Sequence, residues 1–262
     1  CFSCGSHTAD TGLVRNPHKP HLSAGGSSSG CAVLVSTGEA DMAVGCDQGG
    51  SIRMPSGWCG IFGLKPTYGL VPYTGMYNLE LTLDHAGPMA RTSADTALLL
   101  EAIAGPDEMD PRQNQLGNVR EPYTQLLTGD VSDLKIAIVQ EGFGWEPYSD
   151  PDVDEVVLNG ASRFEELGVE LDKVSIPWHR KATHVFTPIV AEGSAATIID
   201  GNGMGNNWNG YYTTSLQDAF ARGWKSNPDD LSETTKVFAI FGKMMREKYH
   251  GHYYAKAQNL RR

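Results

Sequence analysis

Leu134-Lys135-Ile136-Ala137-Ile138-Val139 is the most strand-like run in the chain. Its β-branched residues suit a pleated, half-buried surface. Asp152 to Leu167 follows with the apolar spacing of an amphipathic helix, and Gly168 stands where a helix C-terminus favours a left-handed residue. Val169 to Val174 then alternates as a second strand does. Strand, helix and strand in this order predict a right-handed crossover unit, and with it an α/β core.

Working outward, Ser93 to Ala104 predicts a helix that Thr92 or Ser93 can cap and Gly105-Pro106 stops. Asp41 to Gly45, Ile61 to Thr67 with a turn over Gly69-Leu70-Val71-Pro72, and Asp84 to Ala90 predict three further strands. The small, apolar segment Ser29 to Val35 predicts a buried helix. Residues 1–30 read as loop up to that point, with Pro17 and Pro20 blocking a regular helix. Asp47 to Pro55 reads as a second loop, and 107–132 as a polar, exposed connection. Glu192 to Ile199 and Glu233 to Lys248 predict helices near the C-terminus. No internal repeat is visible, and residues 1–262 read as a single domain.

Composition sets bounds on function. Forty per cent hydrophobic residues are enough to build a core. A formal net charge of −10 repels phosphate backbones and anionic bilayers, so neither nucleic acid nor membrane is an expected partner. No apolar run reaches the length of a membrane span, and no basic-then-apolar leader opens the chain. It begins on Cys1 without Met and stops on Asn259-Leu260-Arg261-Arg262, which reads as an internal fragment of a longer reading frame. Cys1, Cys4, Cys31, Cys46 and Cys59 all fall in the first quarter. Cys1-x-x-Cys4 beside His7, His18 and His21 raises a metal site, but no second close-spaced ligand pair completes it. Reduced, packed thiols in a cytoplasmic protein are the expectation, with no metal and no cofactor.

Two Gly/Ser loops carry the chemistry. They are Gly25-Gly26-Ser27-Ser28-Ser29-Gly30 and Gly45-Cys46-Asp47-Gln48-Gly49-Gly50-Ser51-Ile52-Arg53-Met54-Pro55. Either alone also reads as a flexible turn. Together they offer unencumbered backbone N–H groups that can stabilise an oxyanion where they converge. They also offer one serine as nucleophile and another as proton relay, provided a base completes the set. Gly26-Ser27-Ser28-Ser29-Gly30 matches the Gly-x-Ser-x-Gly nucleophile elbow, but that motif needs a strand running into it. Asn16 to His21 contains two prolines and cannot make a central strand. A phosphate loop would end in Gly-Lys-Ser/Thr, which is absent.

The string from Gly25 through Gly69, with GGSSSG and GCDQGGSIRMPSGWCGIFGLKPTYG, resembles the signature segment of the amidase signature family. Ser51 follows Ser27 by 24 positions, as that pattern requires. DHAGPMARTSADTALLLEAIAG resembles the family's next block. LSETTKVFAIFGK and YYAKAQNLRR are similar to the bacterial enantioselective amidases of nitrile degradation. The resemblance implies an α/β fold with a mixed β-sheet core covered by helices on both sides, here incomplete at both ends. It implies hydrolysis of a small-molecule carboxylic amide to acid and ammonia, without cofactor, by a homodimer. By position, Ser51 resembles the nucleophile and Ser27 the relay serine, held through a cis peptide. Gln48, Gly49, Gly50 and Ser51 resemble the oxyanion stretch. Asp47 and Arg53 resemble residues that hold the loop, and Ser28 a residue that fixes the cis-serine turn. Trp208, Tyr211 and Tyr212 fall in a region near the family's substrate pocket, and equally read as packing or surface loop.

The resemblance departs at the lysine. The family's general base stands several dozen residues ahead of the Gly/Ser loop, beyond this chain's start. Neither Lys19 nor Lys65 matches its context. The expectation is that the 262 residues alone turn over amides poorly and the longer protein does so through Ser51. The alternatives are an inactive truncated homologue and a chain like the A subunit of glutamyl-tRNA amidotransferase. His85 is read as structural, since the family uses no histidine. Glu165-Glu166 is read as a solvated helix edge, because adjacent residues do not share a helix face.

Overall fold

A computed structural model describes Ser3, residues 5–115 and residues 121–261. Two stretches expected as strands, β1 (Met42–Asp47) and β3 (His85–Ala90), pair antiparallel, from Met42 opposite Ala90 to Asp47 opposite His85. β2 (Phe62–Gly63) pairs with the other side of β3. The strand expected over 61–67 is thus cut to two residues. Leu64 still donates its N–H to the Pro88 carbonyl at 3.0 Å, but Pro66 has no N–H to extend the ladder. β3 is central and buried from Ala86 to Ala90, which explains its small and apolar residues. Gly45 and Gly87 face each other across β1 and β3. A Cβ on Gly45 would come within 2.7 Å of Met89 Sδ and 2.9 Å of Ser28 Oγ.

That close approach seats α1 (Ser29–Thr37), which ends at Gly38 with φ 79°. α2 (Arg53–Cys59) begins inside the stretch expected to be loop. Gly49 and Gly50 suggest loop, but the helix starts after them, and Pro55 fits in its first turn, where no N–H is needed. α3 (Ser93–Ile103) is capped by Thr92, whose hydroxyl accepts from Asp95 N at 3.0 Å. One apolar cluster joins Ala24, Ala32, Ile52, Cys59 and Met89, and another joins Val71, Tyr73, Ala86, Leu100 and Ala104.

The connection expected to be exposed is not so throughout. Asp110, Arg112 and Gln113 are buried. Their polar groups are satisfied: Arg112 Nε and Nη2 donate to the Asp110 carboxylate, and Gln113 Nε2 donates to the Gly69 and Gly105 carbonyls. A buried ion pair is tolerated when its hydrogen bonds are complete.

The chain divides into two compact units, Cys1–Leu126 with Pro188–Arg262, and Leu127–Thr187. In the second, β4 (Lys135–Val139) and β5 (Glu170–Val174) pair parallel, Lys135 opposite Glu170. α4 (Pro151–Ser162) lies between them in sequence, capped by Asp150. The helix expected to run to Leu167 ends at Ser162. A short 3-10 turn over Glu165–Leu167 follows, and Gly168 closes it with φ 83°.

The C-terminal helices are α5 (Ala182–Ser194), α6 (Thr214–Ser226), α7 (Glu233–Tyr249) and α8 (His252–Leu260). A π-helical turn over Ala195–Asp200 extends α5. The mixed α/β architecture expected from the sequence is present. No described helix is long and apolar enough to cross a membrane.

Candidate active site

The two serine loops meet at one end of β1. β1 delivers the chain into Gln48-Gly49-Gly50-Ser51, and α2 leads it away. The Gly26–Ser27 peptide bond is cis. Ser28 N donates to the Ser51 carbonyl at 3.2 Å, tying one loop to the other. The Ser28 hydroxyl donates to the Cys46 carbonyl at 3.3 Å and accepts from Cys46 N at 3.2 Å. Ser29 Oγ donates to the Gly25 carbonyl at 2.6 Å and closes the first loop on itself. Ser28 and Ser29 are buried, whereas Ser27 and Ser51 are part-exposed. Among the described residues, neither the Ser27 nor the Ser51 hydroxyl has a hydrogen-bond partner.

Asp47 shapes the second loop. Its fully buried carboxylate accepts from Gly50 N at 2.7 Å and Ile52 N at 3.1 Å, and from Arg53 Nε and Nη2 at 3.0 Å each. Burial pushes its pKa up, but Arg53 and the Gly50 amide together hold it below the usual carboxylate value. The charge is therefore kept where the loop needs an acceptor. Gly50 has φ 127°, which a residue with a Cβ rarely adopts.

This clasp revises the expected oxyanion stretch. The Gly50 N–H points inward to Asp47 and is not free to meet a substrate. The N–H groups of Gln48, Gly49 and Ser51 find no acceptor among the described residues, so three of the four expected donors remain open.

Beside these loops lies a cavity of about 340 Å³. Ser27, Cys46 and Gln48 form part of its wall. Tyr73, Tyr77, Leu79, Ile198, Phe220, Leu231 and Thr235 supply the rest, mostly apolar. The Tyr77 and Phe220 rings meet edge to face at 5.2 Å. A larger hollow near Glu80, Glu192 and Arg246 contains neither serine.

Sequence reading missed the polar network behind this wall. Gln48 Nε2 donates to Asp84 Oδ1 at 2.9 Å and to the Tyr73 hydroxyl at 3.2 Å. Asp84 also accepts from Leu79 N and Glu80 N at 3.2 Å. Burial pushes its pKa up to about 7, against hydrogen bonds from Glu80 and Gln48 and the charge of Arg112. Tyr73 N donates to Asp110 Oδ2 at 2.8 Å. The available signal was an acidic residue at the head of an otherwise apolar strand, a place where carboxylates are rare unless partnered.

Trp208, Tyr211 and Tyr212 do not line this cavity among the described residues. The Trp208 ring stacks 5.2 Å from the Arg112 guanidinium, and the Trp208 backbone N–H donates to the Tyr212 hydroxyl at 2.9 Å. Tyr211 is exposed. His85 lies 2.6 Å from the Leu83 carbonyl and packs edge-on to Tyr68. Lys65 Nζ donates to the Pro66 carbonyl at 2.9 Å. Cys31, Cys46 and Cys59 are free thiols. Cys1 and Cys4 lie outside the described residues. Among the described ones, no three His, Cys, Asp or Glu side chains cluster as metal ligands do.

Comparison with known proteins bears on this arrangement. A family profile described as Amidase matches residues 1–262. An enantioselective amidase of Rhodococcus rhodochrous is 41% identical over 263 residues, which is 99% of this chain and 50% of that protein. The A subunit of a Geobacillus glutamyl-tRNA(Gln) amidotransferase is 35% identical, over 99% of this chain and 53% of its own length. The crystal structure of a peptide amidase from Stenotrophomonas maltophilia superposes with a TM-score of 0.72 at 27% identity. It covers 91% of this chain and 48% of that one. The chain thus spans about half the length of the relatives it matches.

Proposed function

The chain belongs to the amidase signature family, and from that premise we propose that the protein carrying it hydrolyses a carboxylic amide to an acid and ammonia. Ser51 Oγ attacks the amide carbonyl and passes its proton to Ser27. Ser27 relays that proton to a lysine contributed by sequence beyond these 262 residues. The open N–H groups of Gln48, Gly49 and Ser51 stabilise the tetrahedral oxyanion. Collapse breaks the C–N bond, the amine leaves with the returned proton, and water releases the acid from the Ser51 ester. The mostly apolar wall favours a neutral substrate with an apolar acyl group.

The observation that carries this reading is the direct bond between the two serine loops, Ser28 N to Ser51 O, beside a cavity that Ser27 lines. The test is fluorophosphonate labelling of the full-length protein with mapping of the adduct. We expect it on Ser51, with benzamide or propionamide turnover falling at least about 10³-fold in Ser51→Ala. An adduct elsewhere, or turnover that survives the substitution, overturns it.

A second reading, an amidotransferase A subunit acting within a complex, rests on the 35% identity to such subunits. It requires amide cleavage to depend on tRNA and partner chains. Ser51-dependent turnover by the purified full-length protein alone excludes that requirement.

A further inference from the structure

Among the described residues, the side-chain hydrogen bonds of Gln48 can be counted. Its side-chain amide has two N–H donors and one carbonyl acceptor. One N–H goes to Asp84 Oδ1 at 2.9 Å. The other goes to the Tyr73 oxygen at 3.2 Å. Tyr73 commits its own proton to the Tyr77 carbonyl, also at 3.2 Å, so toward Gln48 it can only accept. Turning the amide over would set its oxygen against the ionised Asp84 carboxylate and the Tyr73 oxygen. The ionised form of Asp84 therefore favours this orientation, in which Oε1 is the end left over.

Two further facts locate that oxygen. Among the described residues both side-chain hydrogen bonds of Gln48 run through Nε2, and nothing donates to Oε1. Gln48 also shares the wall of the 340 Å³ cavity with Ser27. The support behind it is rigid. Asp84 is 1% exposed and held by the Leu79 and Glu80 amides, and Arg112 Nη1 donates to the Asp84 carbonyl at 3.1 Å.

We infer that Gln48 Oε1 accepts a hydrogen bond from the N–H of the scissile amide, so that the site selects amides over esters with the same acyl group. The inference rests on the reading of Ser51 and Ser27 as the acyl-transfer pair. An ester oxygen brings no proton to Oε1 and sets lone pair against lone pair. Asp84 and Tyr73 act as positioning residues, because they decide which end of the Gln48 amide faces the substrate. A site that commits a fixed acceptor to a substrate N–H discriminates strongly against the analogue lacking it.

The experiment compares benzamide with methyl benzoate in the full-length protein. These substrates share an acyl group, and only the amide has N–H bonds. The rate at which a fluorophosphonate labels Ser51 serves as a second control without an N–H donor. In Gln48→Met the backbone amide stays and the acceptor goes. We expect kcat/KM for benzamide to fall about 30- to 100-fold further than either control. Asp84→Asn can donate to Oε1 and release the fixed orientation, and should lower the same ratio about 10-fold. Amide, ester and labelling rates that fall together, or a ratio unchanged in Gln48→Met, overturn the inference and leave the acyl-transfer reading standing. A wild-type protein that shows no Ser51-dependent labelling or turnover overturns both.

Discussion

Asp47 holds an ionised carboxylate, fully out of solvent, with two backbone and two guanidinium donors around it. Arg53 itself is half exposed, so solvent screens part of its attraction for the buried carboxylate. Asp47→Asn keeps the shape but loses the charge, and its NH₂ must face a donor. In the full-length protein we expect a stability loss of about 2–4 kcal/mol in urea unfolding and at least a 10²-fold fall in amide turnover. The pH dependence has a definite sign. The folded pKa lies below the ordinary carboxylate value of about 3.9. The stabilisation is therefore complete above about pH 4 and is lost as pH falls through the folded value. Melting curves from pH 3 to 7 should show a steep acid decline in the wild type and a flatter one in Asp47→Asn.

At the scale of elements, the site stands on the close approach of β1, β3, α1 and α2. Gly87 occupies the middle of the central strand, where a Cβ would strike the Leu64 carbonyl and lie 2.7 Å from Pro66 Cδ. Backbone cannot give way as a side chain end can. Gly87→Ala should therefore cost about 2–3 kcal/mol in thermal or urea unfolding and broaden the loss to activity, since β3 registers against Asp47. Much of this layer was legible beforehand. The helix at 93–103 and the strands at 135–139 and 170–174 follow from periodicity and caps, which are local properties, and the helix at 29–37 follows from its run of small, apolar residues. α2 was not legible, because Pro55 and Gly57 look like loop residues until the first-turn position of Pro55 is known. β2 was over-read, because its length is set by what β3 offers as a partner. The serine loops were legible through their spacing. The Asp84–Gln48–Tyr73 network was not, because it joins residues up to 36 positions apart through side chains whose direction no pattern encodes.

At the scale of the whole molecule, packing is unevenly distributed. The unit of residues 1–126 and 188–262 contains both apolar clusters. In residues 127–187, Val169 is the one buried apolar side chain among those described, and Val153, Val156 and Val157 of α4 are exposed. A two-stranded sheet with so little apolar cover holds its hydrogen bonds weakly. Hydrogen exchange on the 262-residue chain should show amides of β4 and β5 exchanging at least about 10²-fold faster than those of β1 and β3. Equal protection would mean that this unit is as stable as the other. The Asp47 clasp, finally, has a meaning for how such molecules diversify. It closes within seven consecutive residues, 47 to 53, and its hydrogen bonds run among Asp47, Gly50, Ile52 and Arg53, none of which lines the cavity. The wall residues Ile198, Phe220 and Leu231 are supplied by sequence far downstream. Under the acyl-transfer reading proposed above, those positions can therefore change, and the acyl group accepted with them, while the turn keeps its shape. A mutant library that randomises Ile198, Phe220 and Leu231 and leaves 47–53 alone searches the same territory in the laboratory.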